Sequence, residues 1–133
     1  MPFIYVAFQT REHQPLVGNG DCVTLIQTLT PGLIGVHTSS WRKGRDVVGS
    51  TGIVPGTAIA TFENGRYPTR AGSKHAAFFL AYGGAGFWVV DQWKDKEGGK
   101  VERRYIHPAP PGKTGVYAAP SNSAGAFSVI ELR

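Results

Sequence analysis

Two nearly unbroken apolar runs dominate the second half of the chain. They are His75-Ala76-Ala77-Phe78-Phe79-Leu80-Ala81-Tyr82 and Gly86-Phe87-Trp88-Val89-Val90-Asp91-Gln92-Trp93, parted only by Gly83-Gly84-Ala85. Apolar residues without a helical period, bounded by glycine, read as strands buried on both faces. The break between them reads as a hairpin turn. A loop of residues 83–85 pairs Tyr82 with Gly86 and hence Ala77 with Asp91. Side chains alternate across a strand, so His75, Ala77 and Asp91 share one face, with His75 and Asp91 diagonal neighbours. A slip of one residue would send them to opposite faces.

A second constraint comes earlier, in Gly18-Asn19-Gly20-Asp21-Cys22-Val23-Thr24-Leu25-Ile26. A glycine-bearing loop gives way here to a short apolar helix over about residues 21–29. Asn19 or Asp21 can cap it, because a short side-chain oxygen accepts from an orphan N–H of the first turn. Cys22, Leu25, Ile26 and Leu29 share one face, and Pro31-Gly32 ends the helix. Cys22 is the only cysteine in the chain. A thiol at a helix N-terminus meets the positive end of the peptide dipoles, which favours the nucleophilic thiolate. The plain alternative is a buried structural cysteine.

The 133 residues suit one compact domain, residues 1–133, with a real core. One cysteine leaves neither a disulfide framework nor a multi-cysteine metal site. The net charge of +5 and pI near 9.6 favour anionic partners. The basic residues are dispersed, however. Arg42-Lys43-Gly44-Arg45 and Arg103-Arg104 are the only tight groups, so nucleic acid is not an expected partner. No stretch is long and apolar enough to suggest membrane insertion, and the start of the chain does not read as a signal peptide.

The remaining segments read as follows. Residues 3–8 form an extended edge segment. Residues 33–52 contain a polar loop in which Trp41, beside Arg42, suits a groove wall or covers the core edge. Residues 57–62 form a strand, and Asn64-Gly65 a turn. Residues 66–74 make a basic loop whose Arg66, Arg70 and Lys74 are candidate rim residues. Residues 101–106 and 127–132 complete the strands. His13 and His107 read as exposed or structural, and His37 as a second-choice base. No spacing fits a zinc site, a phosphate loop or a dinucleotide fingerprint, so neither metal nor cofactor is expected.

In chain order, then, a cysteine opens a helix, a histidine opens a strand, and an acid ends the next strand. Thiol catalysis needs a base within reach of sulfur and a third group to fix the imidazole. Cys22 is the expected nucleophile, His75 the base and Asp91 its orienting partner, with Gln92 the fallback. The oxyanion would sit near the backbone N–H of Cys22. Asn19, Asp21, Trp41, Arg42, Arg66, Arg70, Lys74 and Gln92 are the candidate substrate contacts.

Gly18-x-Gly20-Asp21-Cys22 with its apolar helix resembles the nucleophile segment of NlpC-type and CHAP papain-like cell-wall peptidases. Gly56-Thr57-Ala58-Ile59-Ala60-Thr61-Phe62 resembles the strand leading to their histidine. His75-Ala76-Ala77-Phe78-Phe79 and Val90-Asp91-Gln92-Trp93 resemble the strands carrying their second and third residues. The likeness spans about residues 18–93, and the size and charge are most similar to type VI secretion amidase effectors. It implies an α+β papain-like fold, with the cysteine helix packed on an antiparallel sheet. It also implies hydrolysis of an amide in peptidoglycan stems or crosslinks, the diaminopimelate–D-alanine crosslink slightly ahead of the D-glutamate–diaminopimelate bond. Synthesis in the bacterial cytoplasm, action in the periplasm of a rival cell, and a cognate immunity protein plugging the cleft are further implications. The competing readings are a non-catalytic basic module that binds a wall polymer or protein, and a thiol acyltransferase on the same fold.

Overall fold

The structure, a computed structural model, describes residues 2–69, 73–109, 117 and 119–132. One helix, α1 (Cys22–Leu29), lies against a sheet of six strands. The strands are β1 (Trp41–Asp46), β2 (Ala58–Thr61), β3 (Ala76–Gly83), β4 (Gly86–Asp91), β5 (Glu102–Ile106) and β6 (Phe127–Leu132). Their spatial order is β1-β6-β2-β3-β4-β5, with every neighbouring pair antiparallel. The C-terminal strand therefore inserts between β1 and β2 and closes the sheet around a chain segment far from it in sequence.

Both faces of this sheet are covered, which explains the continuous apolar runs of β3 and β4. On one face Ala58, Ala60, Ala76, Phe78 and Val90 pack with Leu25 and Ile26 of α1, Trp41 and Phe8. On the other, Ile59, Ala77, Phe79, Phe87 and Val89 pack with Val47, Ile53, Ala124 and Phe127. Leu25 and Ile26 are fully buried. Each is worth about 1.5–3 kcal/mol in area removed from water, so the helix is held by its apolar face rather than by its length.

The start of α1 differs in detail from the expected capping. Asp21 occupies the N-cap position with extended backbone, but its side chain makes no capping bond. Asn19 does the work from two residues upstream, its Oδ1 accepting from the Asp21 N–H (3.0 Å) and the Thr24 hydroxyl (2.7 Å). Gly18 precedes it with φ +58°, and a Cβ there would meet Thr24 Cγ2 at 2.6 Å, so the loop needs glycine.

Three local expectations are corrected. Residues 3–8 form no strand: Ile4 makes a single bridge to Thr57, and the chain then turns through a 3-10 segment, Phe8–Arg11. The polar loop expected after Trp41 is instead β1, an edge strand. Its sequence, Trp-Arg-Lys-Gly-Arg-Asp, carries no apolar alternation because of its residues only Trp41 is buried, the rest being half-buried or exposed. The hairpin turn has two residues, not three, because Gly83 pairs with Gly86. A bulge between Phe79 and Ala81 then absorbs the difference, so that Phe79 faces Val89 and Phe78 faces Val90. Continued by one residue, that register sets Ala77 opposite Asp91, as expected from the wrong turn.

Candidate active site

His75 lies one residue before β3, and Asp91 is the last residue of β4. Both strand ends meet at the same end of the sheet, and the His75 Nε2 is 2.7 Å from Asp91 Oδ2. The same ring lies close enough to Cys22 for the thiol to influence its titration, and the two residues line one cleft. With Nε2 committed to Asp91, Nδ1 is the ring nitrogen left for other chemistry. Cys22 is only 6% exposed, yet it lines an open cleft of about 470 Å³ with Asp21, His37, Tyr67, Lys74, His75 and Trp93. The sulfur is thus shielded but reachable.

Asp91 is fully buried and bound from two sides. Arg104 of β5 donates to Oδ2 through Nε (3.0 Å) and Nη2 (2.9 Å), so three donors converge on one oxygen. Burial pushes the Asp91 pKa up, but the hydrogen bond and charge of His75, then those of Arg104, overcome it and hold the carboxyl below its usual range. Burial likewise pulls the His75 pKa down. The Asp91 carboxylate, which accepts from the ring, and then the neighbouring Cys22 outweigh it and hold the ring up at about 9. An imidazole so placed holds a proton through neutral pH.

Arg104 and Arg103 are adjacent on β5 and therefore leave the strand on opposite sides. Arg103 forks onto Glu12 (2.9 and 3.0 Å) and ties the N-terminal segment to the sheet. Arg104 serves the site. The sequence displayed the two only as a basic pair. Their separation needs the β4–β5 register, in which Val89 faces Arg104 and Asp91 faces Glu102.

Gln92 is not the partner of His75. It is fully buried, and its amide grips the loop that enters α1. Oε1 accepts from the Val17 N–H (2.7 Å), and Nε2 donates to the carbonyls of Val17 (3.0 Å) and Asp21 (2.8 Å). It fixes the residue before the cysteine to the strand carrying the acid.

The other expected contacts divide. Asp21 and Lys74 line the cleft. Trp41 does not form a groove wall: it is fully buried, with its ring edge-on to Tyr67 at 5.2 Å. Arg42 donates through Nη1 to the Ser39 and Trp41 carbonyls at the start of β1, and Arg66 sits in short backbone bridges to Arg42 and Glu63. Asn19 shapes the helix entry. None of these four is among the described residues lining the cleft. Arg70 lies outside the described residues. His13 and His107 are exposed, and His37 lies at the cleft margin with Nδ1 3.0 Å from the Ser39 N–H and hydroxyl.

Besides Arg104, two site residues escaped the sequence reading. The Tyr67 hydroxyl is 3.9 Å from the Cys22 sulfur, and burial, then Cys22 itself, pushes its pKa far above the usual phenol value, so it remains a neutral O–H. Trp93 borders His75, with ring centroids 6.4 Å apart. Trp93 ended the expected strand and Tyr67 stood in the expected rim loop, but only tertiary contact brings them to the sulfur and the imidazole.

Residues 7–128 match the family model for domesticated amidase effector 2, extending the likeness well beyond Trp93. A type VI secretion amidase effector 2 protein of Salmonella typhi is 40% identical over 136 residues, covering 98% of this chain and 100% of the relative. Domesticated amidase effector 2 of Ixodes scapularis is 35% identical over 120 residues, covering 87% of this chain and 74% of its own. Among solved structures, a type 6 secretion amidase effector 2 superposes with a TM-score of 0.88 at 40% identity, covering 100% of this chain and 96% of that one.

Proposed function

The chain belongs to the domesticated amidase effector 2 family and has the α+β papain-like fold, and on that premise we propose that it is a cysteine amidase that cuts the peptide portion of peptidoglycan. The observation that carries this is the convergence of three residues: Cys22 and His75 line one cleft, and the His75 ring is bound at 2.7 Å to the buried carboxylate of Asp91.

The reaction follows from that geometry. His75 takes the thiol proton at Nδ1, and the sulfur attacks the amide carbonyl carbon. The oxyanion develops beside the N-terminus of α1, near the Cys22 N–H, with the Tyr67 hydroxyl 3.9 Å from the sulfur as a second donor. As the C–N bond breaks, His75 returns its proton to the leaving amine, and a thioester remains on Cys22. Water then gives a proton to His75 and attacks the thioester. Release of the acid restores the thiol. Asp91 holds the ring and stabilises the imidazolium throughout. Lys74 and Lys94 on the cleft lining suit substrates bearing carboxylates.

The relatives named as type VI secretion effectors support delivery of this protein into target cells, where the wall is exposed to the periplasm. No helix of the described residues is long and apolar enough to cross a membrane. A cognate immunity protein covering the Cys22 cleft is the corresponding partner, and the diaminopimelate–D-alanine crosslink is the favoured bond. Digestion of purified sacculi, with mass spectrometry of the released muropeptides, tests the reading. The wild type releases stem fragments with a new amine and a new carboxylate, and Cys22→Ala releases none while keeping its fold. Equal digestion by both proteins would refute it.

A further inference from the structure

The cleft does not end at the catalytic ring. A second cavity of about 310 Å³ opens on the other side of His75, lined by Lys74, His75, Trp93, Arg104, Ser121 and Asn122. Lys74, His75 and Trp93 line both spaces, so the two are arms of one cleft that bends past the imidazole. Only the first arm holds Cys22.

The second arm is chemically one-sided. Its described lining contains two cations, Lys74 and Arg104, and no carboxylate. Asp91, the nearest acid, is fully buried behind the ring and already carries Arg104 and His75. Arg104 is held rigidly. Nε and Nη2 go to Asp91, Nη2 reaches the Ser121 carbonyl at 3.3 Å, and Nη1 gives one N–H to Asn122 Oδ1 at 2.7 Å. A guanidinium has five N–H donors, so one on Nη1 remains without a partner among the described residues. Its plane also lies 5.4 Å from the Trp93 ring. Lys74 is exposed beside it, on a flexible stem. A pre-oriented guanidinium N–H, a mobile ammonium and the Asn122 amide together suit a small planar anion.

The direction of the reaction says which half of the substrate reaches this arm. His75 must hand its proton to the departing nitrogen, so the amine half lies on the imidazole side of the sulfur. The acyl half stays with Cys22 in the first arm. We propose that the second arm is a subsite for a free carboxylate on the amine-side half of the substrate, bound by Lys74 and the spare Arg104 N–H. This rests on the amidase reading above. It adds that the enzyme selects an amine-side residue bearing an ionised carboxylate close to the scissile nitrogen.

The test uses two synthetic crosslinked stem peptides, identical except that the amine-side carboxylate is free in one and converted to a carboxamide in the other. The wild-type protein cleaves the free acid with a kcat/KM about tenfold or more above that of the amide, the worth of a charge-assisted contact. Lys74→Gln, a change at an exposed side chain, lowers that ratio toward one, and Lys74→Arg restores most of it. Equal cleavage of both peptides by the wild type would overturn the subsite while leaving the amidase reading intact. A ratio unchanged in Lys74→Gln would also overturn it. Cleavage of neither peptide would strike the amidase reading itself, and the subsite with it.

Discussion

Gln92 Nε2 donates a 2.8 Å hydrogen bond to the carbonyl of Asp21, the residue immediately before Cys22. One position earlier, Asp91 holds the His75 imidazole at 2.7 Å. Successive side chains leave an extended chain on opposite sides. A single dipeptide at the end of β4 therefore grips both halves of the site, the ring on one side and the entry to the cysteine helix on the other. These two adjacent side chains tie the His75 ring and the entry to the Cys22 helix to one point of the chain.

Gln92→Ala removes the grip and leaves backbone groups of the Val17 and Asp21 loop short of partners. A stability loss of about 1–3 kcal/mol is expected, read as a lower denaturation midpoint. Misplacement of the sulfur by a fraction of an ångström should cost kcat on the order of 10–100-fold. The ring keeps its carboxylate, so the alkaline limb of the pH–rate profile should stay where it is in the wild type. A displaced limb would show that Gln92 acts on the imidazole instead.

In the proposed mechanism His75 must carry the proton it gives to the leaving amine. With the ring held at about 9, kcat should persist through neutral pH and fall as pH rises through that value. Asp91→Asn removes the charge that raises it. The limb should then move to lower pH, and kcat should fall on the order of 10²–10⁴-fold. A limb that does not move would contradict the assignment of Asp91.

The same linkage appears in stability. His75 binds its proton more tightly folded than unfolded, its pKa raised from 6.5 to about 9. This contribution is fully present below about pH 6.5 and is lost as pH rises toward 9. At most it amounts to about 3 kcal/mol. Asp91, held below its usual range, contributes in the opposite sense, and its share is lost only in acid. The wild type should therefore melt at lower temperature at pH 9.5 than at pH 6.5, with a smaller difference in Asp91→Asn.

Tyr67→Phe keeps the ring on Trp41 and deletes the hydroxyl 3.9 Å from sulfur. If that O–H serves the oxyanion, kcat should fall on the order of 10²–10³-fold with KM little changed. Unaltered kcat would leave the helix N-terminus as the sole donor.

The sequence by itself determined the parts that depend on local pattern. The cysteine helix, the buried hairpin, β2, β5 and β6 all follow from apolar periodicity and turn residues within a few positions of one another. It also put His75 and Asp91 on a common face, although by a loop one residue too long. The bulge between Phe79 and Ala81 cancelled that error, and no local signal announces such a bulge. Only the tertiary structure decided the rest. β1 is a strand because β6 returns to pair with it, not because Trp41-Arg42-Lys43 favours one. Arg104 belongs to the site because the β4–β5 register carries it to Asp91. Trp41 left the cleft and Tyr67 entered it through packing between segments about 25 residues apart in sequence. Short-range propensity fixes which residues form an element. Hydrogen bonding and burial between distant segments fix which side chains meet, and catalysis depends on that meeting.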